Sequence, residues 1–455
     1  MKINFPLVIV GSQWGDEGKG KIVDLLSDQA THVVRYNGGN NAGHSVVLNG
    51  EKFKLSLLPS GVLHKKKLFL SQGVVIDPKV LLDEINFFEK RKIRVNLTID
   101  PRVNIVMPYH KALDRATEIW KGKKATGSLH LGIGYCYEDK NNRFGVRFED
   151  LINPTNLKER LELIFSLKKL QIEKVYGQKF DLTVEAIYEE YNEYGKKLKK
   201  YFGDVSFILN KDIKKGKILF EGAHGTFLDG IFGTYPYTTA VYTIAGGVFP
   251  YVGLPPQKIN SMGVVKAYTT RVGNGPFPTE LIDKIGAKIR EVGEEFGTVS
   301  KRPRRCGWLD LCLVRTAIRL SGFDYLAITK LDVLSIVDKI KVCIAYKIPS
   351  SSFRTKRSEV RNLAKRYGLR PRFLADAQND KGIIIKEVPA LMNDFSKCQP
   401  VYKEFKGWRS DVSKVRRFKD LPKEAKIYIK FIEKQSRVPI KYIFVGPERN
   451  QTILI

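Results

Sequence analysis

The feature that most constrains the fold is an apolar run, Pro6-Leu-Val-Ile-Val10, followed at once by the loop Gly11-Ser-Gln-Trp-Gly-Asp-Glu-Gly-Lys-Gly20. The run reads as a buried strand, and residues 18 to 26 read as the amphipathic start of a helix. In such a strand, loop and helix unit the glycines let backbone N–H groups approach phosphate, and the helix N-terminus favours an anion. Lys19 adds a point charge. The loop is not a standard P-loop, because Gly20 stands where a Ser or Thr would hold magnesium, and the glycine spacing differs. Asp16 is then the candidate for Mg²⁺, since a carboxylate with phosphate oxygens is the usual way to keep that ion. By itself, such a loop is equally compatible with a plain structural turn.

Further apolar runs predict strands at Val33–Tyr36, Ile218–Glu221, Tyr325–Thr329 and Ile340–Tyr346. Helical periodicity appears over residues 156–170, 183–202, 309–321 and 422–436. The alternation predicts an α/β fold with a large mixed, mostly parallel central sheet flanked by helices. No repeat or low-complexity linker divides the chain, so one domain over residues 1–455 is expected. One stretch stands apart. Residues 350–372 begin Ser-Ser-Ser and carry eight Arg or Lys against the single acid Glu359, so a basic surface insertion over 350–385 is expected.

Composition excludes several classes. A hydrophobic content of 43% with 28% charged residues is globular, and no apolar run approaches the roughly 18 residues needed to span a bilayer. The amino terminus has no signal-peptide pattern, which predicts a cytoplasmic protein. Five cysteines, widely spaced and without a CxxC pair, suggest neither a disulfide framework nor a zinc site. The formal charge of +30 attracts polyanions or simply solvates the surface. Its Lys and Arg residues are spread from end to end without aromatic interleaving, so nucleic acid is not the expected partner.

The glycine loop is more specific in company. With Arg35-Tyr-Asn-Gly-Gly-Asn-Asn-Ala-Gly-His44, the sequence closely resembles the adenylosuccinate synthetase family. The resemblance recurs in Leu58-Pro-Ser-Gly-Val-Leu63, Tyr137-Glu-Asp-Lys140, Glu221-Gly-Ala-His-Gly-Thr226, Gly233-Thr-Tyr-Pro-Tyr237 and Lys266-Ala-Tyr-Thr-Thr-Arg-Val-Gly273. It continues through Gly275-Pro-Phe-Pro-Thr-Glu280, Arg302-Pro-Arg-Arg-Cys-Gly-Trp-Leu-Asp310, Thr329-Lys-Leu-Asp-Val-Leu334 and Gly446-Pro-Glu-Arg449.

The resemblance implies a ligase that converts IMP and L-aspartate to adenylosuccinate with GTP, through a 6-phosphoryl-IMP intermediate, in AMP synthesis. It assigns Asp16 as the base that takes the purine N1 proton and His44 as the donor to the phosphoryl group in transit. Gly15, Glu17, Gly18, Lys19, Gly20 and Gly43 would hold the GTP phosphates, with Asp16 and the Gly43 carbonyl on Mg²⁺. Asp332 would accept from guanine N1 and its exocyclic amine, which adenine cannot offer, with Lys330 and Gly446 on either side of the base. IMP would meet Asp16, Asn41, Ser128, His224, Thr239 and Arg302. Aspartate would meet Thr298, Val299, Ser300, Arg302 and Arg304, two arginines being suited to a dicarboxylate. Arg143 would reach the IMP site of a neighbouring subunit, implying a homodimer.

Three departures fall at ligand positions. The phosphate segment Gly127-Ser-Leu-His-Leu-Gly-Ile-Gly-Tyr135 keeps one family hydroxyl at Ser128 and loses another at Leu129. His224 replaces a glutamine and can donate to phosphate, or add charge if protonated. Thr298-Val-Ser-Lys301 replaces Ala-Thr-Thr-Gly. These leave open a family variant acting on another purine nucleotide or amino-acid acceptor. Asp16 argues against a guanine nucleotide as acceptor, because a 2-amino group would crowd a carboxylate at N1. A GTP-binding regulatory protein is the alternative from another class. It would need Lys19 and Asp332 but not His44 or the arginine loop.

Overall fold

The computed structural model describes residues 3–297, 302–348 and 383–455. Nine strands form the central sheet: β1 (Leu7–Gly11), β2 (His32–Arg35), β3 (Lys67–Leu70), β4 (Leu97–Ile99), β5 (Ile218–Gly225), β6 (Asn260–Lys266), β7 (Tyr325–Thr329), β8 (Ile440–Phe444) and β9 (Thr452–Leu454). Their order is β9-β8-β7-β6-β1-β5-β2-β3-β4. Every neighbouring pair is parallel except β8 with β9 at the edge. The expected mostly parallel sheet is therefore present.

β1 sits at its centre with all five residues buried. Leu7 and Ile9 pack into the apolar layer on one face, Val8 and Val10 into the layer on the other. A strand covered on both faces needs such a continuous apolar run. Helix α1 (Lys19–Ser27) returns over the Leu7 face, burying Ile22, Val23 and Leu26. The helices Leu311–Ser321 and Lys423–Ser436 cover the other face. Helix starts follow local chemistry. Asp77, Asn153, Thr183, Asp283 and Asp310 each accept from a first-turn N–H, a contact that stabilises a helix by about 1 kcal/mol.

The expected elements fall close to those observed: Tyr325–Thr329 coincides with β7, and the pattern at 422–436 with Lys423–Ser436. The run Ile340–Tyr346 lies in the strand Lys339–Ile348, which is not in the central sheet. It pairs antiparallel with Gln399–Lys406 and Ile383–Ile385 in a smaller sheet. Most of the basic stretch expected at 350–385 lies outside the described residues; its last three residues form that Ile383–Ile385 strand.

From β1 the chain builds outward through β2, β3 and β4, inserts β5 beside β1, then builds outward on the other side. Strand order reverses at β1, so a crevice opens at the carboxyl ends of the strands there. The β1–β5 register breaks between Ile9 and Gly11, opposite Glu221 and Gly225. The residues gained by this bulge, Gly222, Ala223 and His224, face the crevice.

Candidate active site

A cleft of about 390 Å³ opens at this reversal, lined by residues at the carboxyl ends of β1, β2, β5, β7 and β8. On one wall Gly15, Asp16 and Gly18 adopt φ of 85°, 61° and 90°. Gly18 ends in this left-handed turn just before α1, and the first helical residues Lys19 and Gly20 face the cleft. Glu17 points the other way. Its buried carboxylate accepts from Gln13 N at 3.0 Å, Gly15 N at 2.9 Å and Lys19 Nζ at 2.8 Å. Its carbonyl accepts from Thr329 Oγ1 at 2.6 Å. The side chain thus holds the loop in shape from beneath, leaving backbone groups and Lys19 toward the cleft.

His44 packs over the first turn of α1. A Cβ on Gly20 would lie 2.9 Å from His44 Cδ2. His44 Nε2 is 2.9 Å from Ser60 Oγ and 3.3 Å from Glu221 Oε1. Glu221 in turn accepts from Ser60 Oγ and Ser60 N, each at 2.9 Å. Burial pushes the imidazole pKa down, and the Glu221 carboxylate partly opposes this. The neighbouring His224 is held neutral, at a pKa of about 3, by burial and then by Lys19 and Arg35. In its neutral form the imidazole offers one N–H.

A hairpin stem forms the facing wall. Arg304 N donates to Glu295 O and Gly297 N to Arg302 O, both at 2.9 Å. Arg304 Nε donates to Asp16 Oδ2 at 2.8 Å, and its Nη1 to Glu295 Oε2 at 2.7 Å. Burial lowers the guanidinium pKa, but the Asp16 and Glu295 carboxylates outweigh it and raise the net value. Arg302 reaches away to Gly127 O at 2.8 Å. Thr298, Val299, Ser300 and Lys301 lie outside the described residues.

The third side is built from β7 and β8. Lys330, at φ 59°, donates to Gly293 O at 2.8 Å. Lys21 on α1 donates to Gly446 O at 2.6 Å and Gln451 O at 3.1 Å, and its ammonium lies 4.6 Å from the Phe444 ring centroid. Burial lowers the Lys21 pKa to about 7, with Asp332 opposing. Lys330, Phe444, Gly446 and Pro447 line the cleft, whereas Asp332 does not, although its charge is felt by Lys330 and Lys21. Asp332 Oδ1 is buried without a hydrogen-bond partner among the described residues. Burial raises its pKa, against the charges of Lys330 and Lys21.

The remaining expected residues divide. Asn41 and Gly43 line the cleft, and Asn41 Oδ1 is a second buried acceptor without a partner among the described residues. Ser128 lies beside it in a segment held by Glu118, whose carboxylate accepts from Gly127 N at 2.7 Å and Ser128 N at 3.0 Å. Thr239 bonds Leu228 O at 2.9 Å and does not line the cleft. Arg143 is exposed at the end of the helix Ile133–Asn142, also away from this cleft.

Sequence reasoning did not single out Glu221, Lys21 or Glu295 as site residues. Glu221 was within reach, as a carboxylate at the end of an apolar strand. Lys21 and Glu295 carry no such signal, because a lysine or glutamate in an amphipathic segment ordinarily faces solvent.

A parallel sheet whose strand order reverses beside a glycine loop, with a lysine, a histidine and an aspartate on one cleft, defines an α/β enzyme that acts on phosphorylated nucleotides. The sequence profile of the adenylosuccinate synthetase family matches residues 8–453. Adenylosuccinate synthetases from Thermoanaerobacter sp. (strain X514) and Acetivibrio thermocellus are each 46% identical, the first over 99% of both chains and the second over 98% of this chain and 99% of its own. The fully ligated adenylosuccinate synthetase of Plasmodium falciparum superposes with a TM-score of 0.87 at 36% identity, covering 99% of both chains. A cyanophage S-2L succinoaminodeoxyadenylate synthetase shares the fold alone, at a TM-score of 0.56 and 18% identity. The chain belongs to the adenylosuccinate synthetase family, and is a GTP-dependent ligase joining IMP to L-aspartate in AMP synthesis. Among the described residues, no helix is long and apolar enough to cross a membrane.

Proposed function

We propose that this cleft carries out both steps of the ligation, with Asp16 and His44 as its catalytic residues. The observation that supports this best is their convergence: both line one cleft, with Lys19 from the same loop as Asp16 and with Arg304 bonded to Asp16 at 2.8 Å. Asp16 takes the N1 proton of the purine, leaving O6 nucleophilic toward the γ-phosphoryl group of GTP. His44 donates to that group as charge moves onto the bridging oxygen, exchanging its Ser60 contact for a phosphoryl oxygen, while Glu221 orients the ring. The amine of L-aspartate then displaces phosphate at C6.

Lys19 and the loop amides hold the GTP phosphates, and Asp332, Lys330 and Gly446 hold guanine. Arg302 and Arg304 receive aspartate, with Thr298, Val299 and Ser300. Asn41, Ser128, His224 and Thr239 serve IMP, Asn41 and His224 from the cleft lining. Asp16 and the Gly43 carbonyl suit Mg²⁺, because both residues line the cleft and both carry hard oxygen donors. That ion, when bound, neutralises phosphate charge. Arg143 serves the IMP site of a second copy in a homodimer, in the cytoplasm. The whole chain acts as one domain, with the basic stretch from residue 350 as a surface insertion that ends before the Ile383–Ile385 strand.

The test is to mix protein, GTP, Mg²⁺, IMP and L-aspartate and to follow the absorbance of adenylosuccinate. Product formation dependent on all three substrates is expected. GTP hydrolysis independent of IMP, without product, would overturn the reading.

A further inference from the structure

Glu295 lies at the centre of a buried charge cluster to which the two-step reading assigns no work. Its carboxylate is fully buried. It accepts from Lys266 Nζ at 2.8 and 2.9 Å, from the Tyr268 hydroxyl, and from Arg304 Nη1 at 2.7 Å. Lys266 also donates to Thr270 Oγ1 at 2.7 Å. Burial raises the Glu295 pKa, but Lys266 and Arg304 outweigh it and hold the carboxyl at about 2. Removing such charges from water is costly even when they are paired, so a cluster of this kind is poorly explained by stability alone.

Its geometry points to the cleft. Arg304 is clamped along two edges: Nε by Asp16 Oδ2 at 2.8 Å, and Nη1 by Glu295 Oε2 at 2.7 Å. The backbone pairing of Arg304 N with Glu295 O at 2.9 Å fixes the two residues opposite each other in the hairpin stem. A guanidinium held in this way keeps its remaining N–H groups in one orientation, and loses little freedom when an anion arrives. Without Glu295 the head group could turn fully onto Asp16.

We propose that Glu295 is a positioning residue for the amino-acid substrate, gripping one edge of the Arg304 guanidinium so that its other N–H groups are presented to a dicarboxylate. This rests on the reading of Arg304 as an aspartate ligand. The role also makes Lys266, at the end of β6, the partner of Glu295; burial lowers the Lys266 pKa and the Glu295 carboxylate opposes this.

The experiment compares Glu295→Gln, Glu295→Asp and Arg304→Leu in the full-length enzyme, measuring kcat and the KM for L-aspartate, IMP and GTP, with a thermal melt of each. Glu295→Gln is expected to raise the aspartate KM about tenfold, the order associated with one charge-assisted hydrogen bond. The GTP and IMP KM values should change far less than the aspartate KM, because Glu295 reaches those sites only at one remove, through the contact of Arg304 with Asp16. Glu295→Asp, which keeps the charge but shortens the reach, should recover most of the loss. Should Glu295→Gln not fold, Glu295→Ala takes its place and must raise the aspartate KM selectively, with Glu295→Asp again recovering most of the loss. An aspartate KM unchanged in the folded Glu295 variants, or three KM values rising together, overturns the proposal while Arg304→Leu raises the aspartate KM. If Arg304→Leu leaves that KM unchanged, the reading of Arg304 itself fails.

Discussion

His44 lies so close over α1 that a single methyl group on Gly20 would stand 2.9 Å from its ring carbon. The residue that breaks the P-loop pattern is therefore the one that makes room for the histidine. Restoring the usual hydroxyl with Gly20→Ser should displace the imidazole rather than improve metal binding. A positioned general acid contributes roughly 10²- to 10⁴-fold, so kcat should fall about 100-fold with the GTP KM little changed. Steady-state kinetics checks this, and a variant with wild-type kcat would mean that His44 moves aside without loss.

This relationship also marks what could and could not be seen in the sequence. The unit of β1, loop and α1 was legible because a doubly covered strand and an amphipathic helix have different apolar periods. Tyr325–Thr329 was legible for the same reason. Periodicity reports the type of an element and not its partner, so Lys339–Ile348 could not be assigned to a second sheet. The contact between Asp16 and Arg304 spans 288 residues, and only the fold brings them together. Glu17 was placed among the phosphate contacts from its loop, whereas its side chain turns beneath that loop.

The exposed Arg143 and the cleft-facing Asp16 should complement each other across a dimer. Asp16→Asn should bind nucleotides yet lose turnover, because an amide cannot take the N1 proton. Arg143→Leu should be impaired for lack of a group supplied to the neighbouring site. In an equal mixture that has exchanged subunits, half the dimers are hybrids with one intact site each, so about a quarter of wild-type activity should return. Activity no greater than the mean of the two variants would remove Arg143 from the neighbouring site.

A buried network away from the cleft carries a stability prediction. Asp139 accepts from His110 Nε2 at 2.9 Å and from Lys168 Nζ, and none of the three is appreciably exposed. His110 Nδ1 accepts from Met107 N at 3.0 Å, which fixes the neutral tautomer, and burial lowers the pKa of this ring. Burial raises the Asp139 pKa, but its bonds to His110 and Lys168 outweigh this and hold it below its usual value. Lys168→Met leaves a buried carboxylate without its cation, so unfolding free energy should fall by roughly 3–5 kcal/mol with kcat preserved. A neutral His110 contributes stability that is present above its unfolded pKa of about 6.5 and lost below it, as the unfolded chain takes up the proton. Asp139 contributes stability that is present above its unfolded pKa of about 3.9 and lost only at stronger acid. Without Lys168 the His110 proton is better tolerated, so the stability loss between about pH 6.5 and 5 should be shallower in the variant. Urea unfolding at both pH values measures this, and identical slopes would contradict it.

Asp332 supports the sharpest statement about the nucleotide. Its Oδ1 is buried without a partner among the described residues, and its charge is opposed by Lys330, which lines the cleft. Such an acceptor is costly to leave unmade, by about 1–3 kcal/mol, and in the proposed site guanine would offer the carboxylate two donors, N1–H and the exocyclic amine. Asp332→Asn replaces one acceptor oxygen by a donor NH₂, which opposes that amine. The GTP KM should rise about 100-fold, corresponding to roughly 3 kcal/mol for a lost hydrogen bond to a charged group. Xanthine carries a carbonyl oxygen where guanine carries the amine, so XTP should become the better substrate of the variant. The comparison of kcat/KM for GTP and XTP in both enzymes decides it: a variant that loses activity with both nucleotides alike would show that Asp332 supports the wall instead of reading the base.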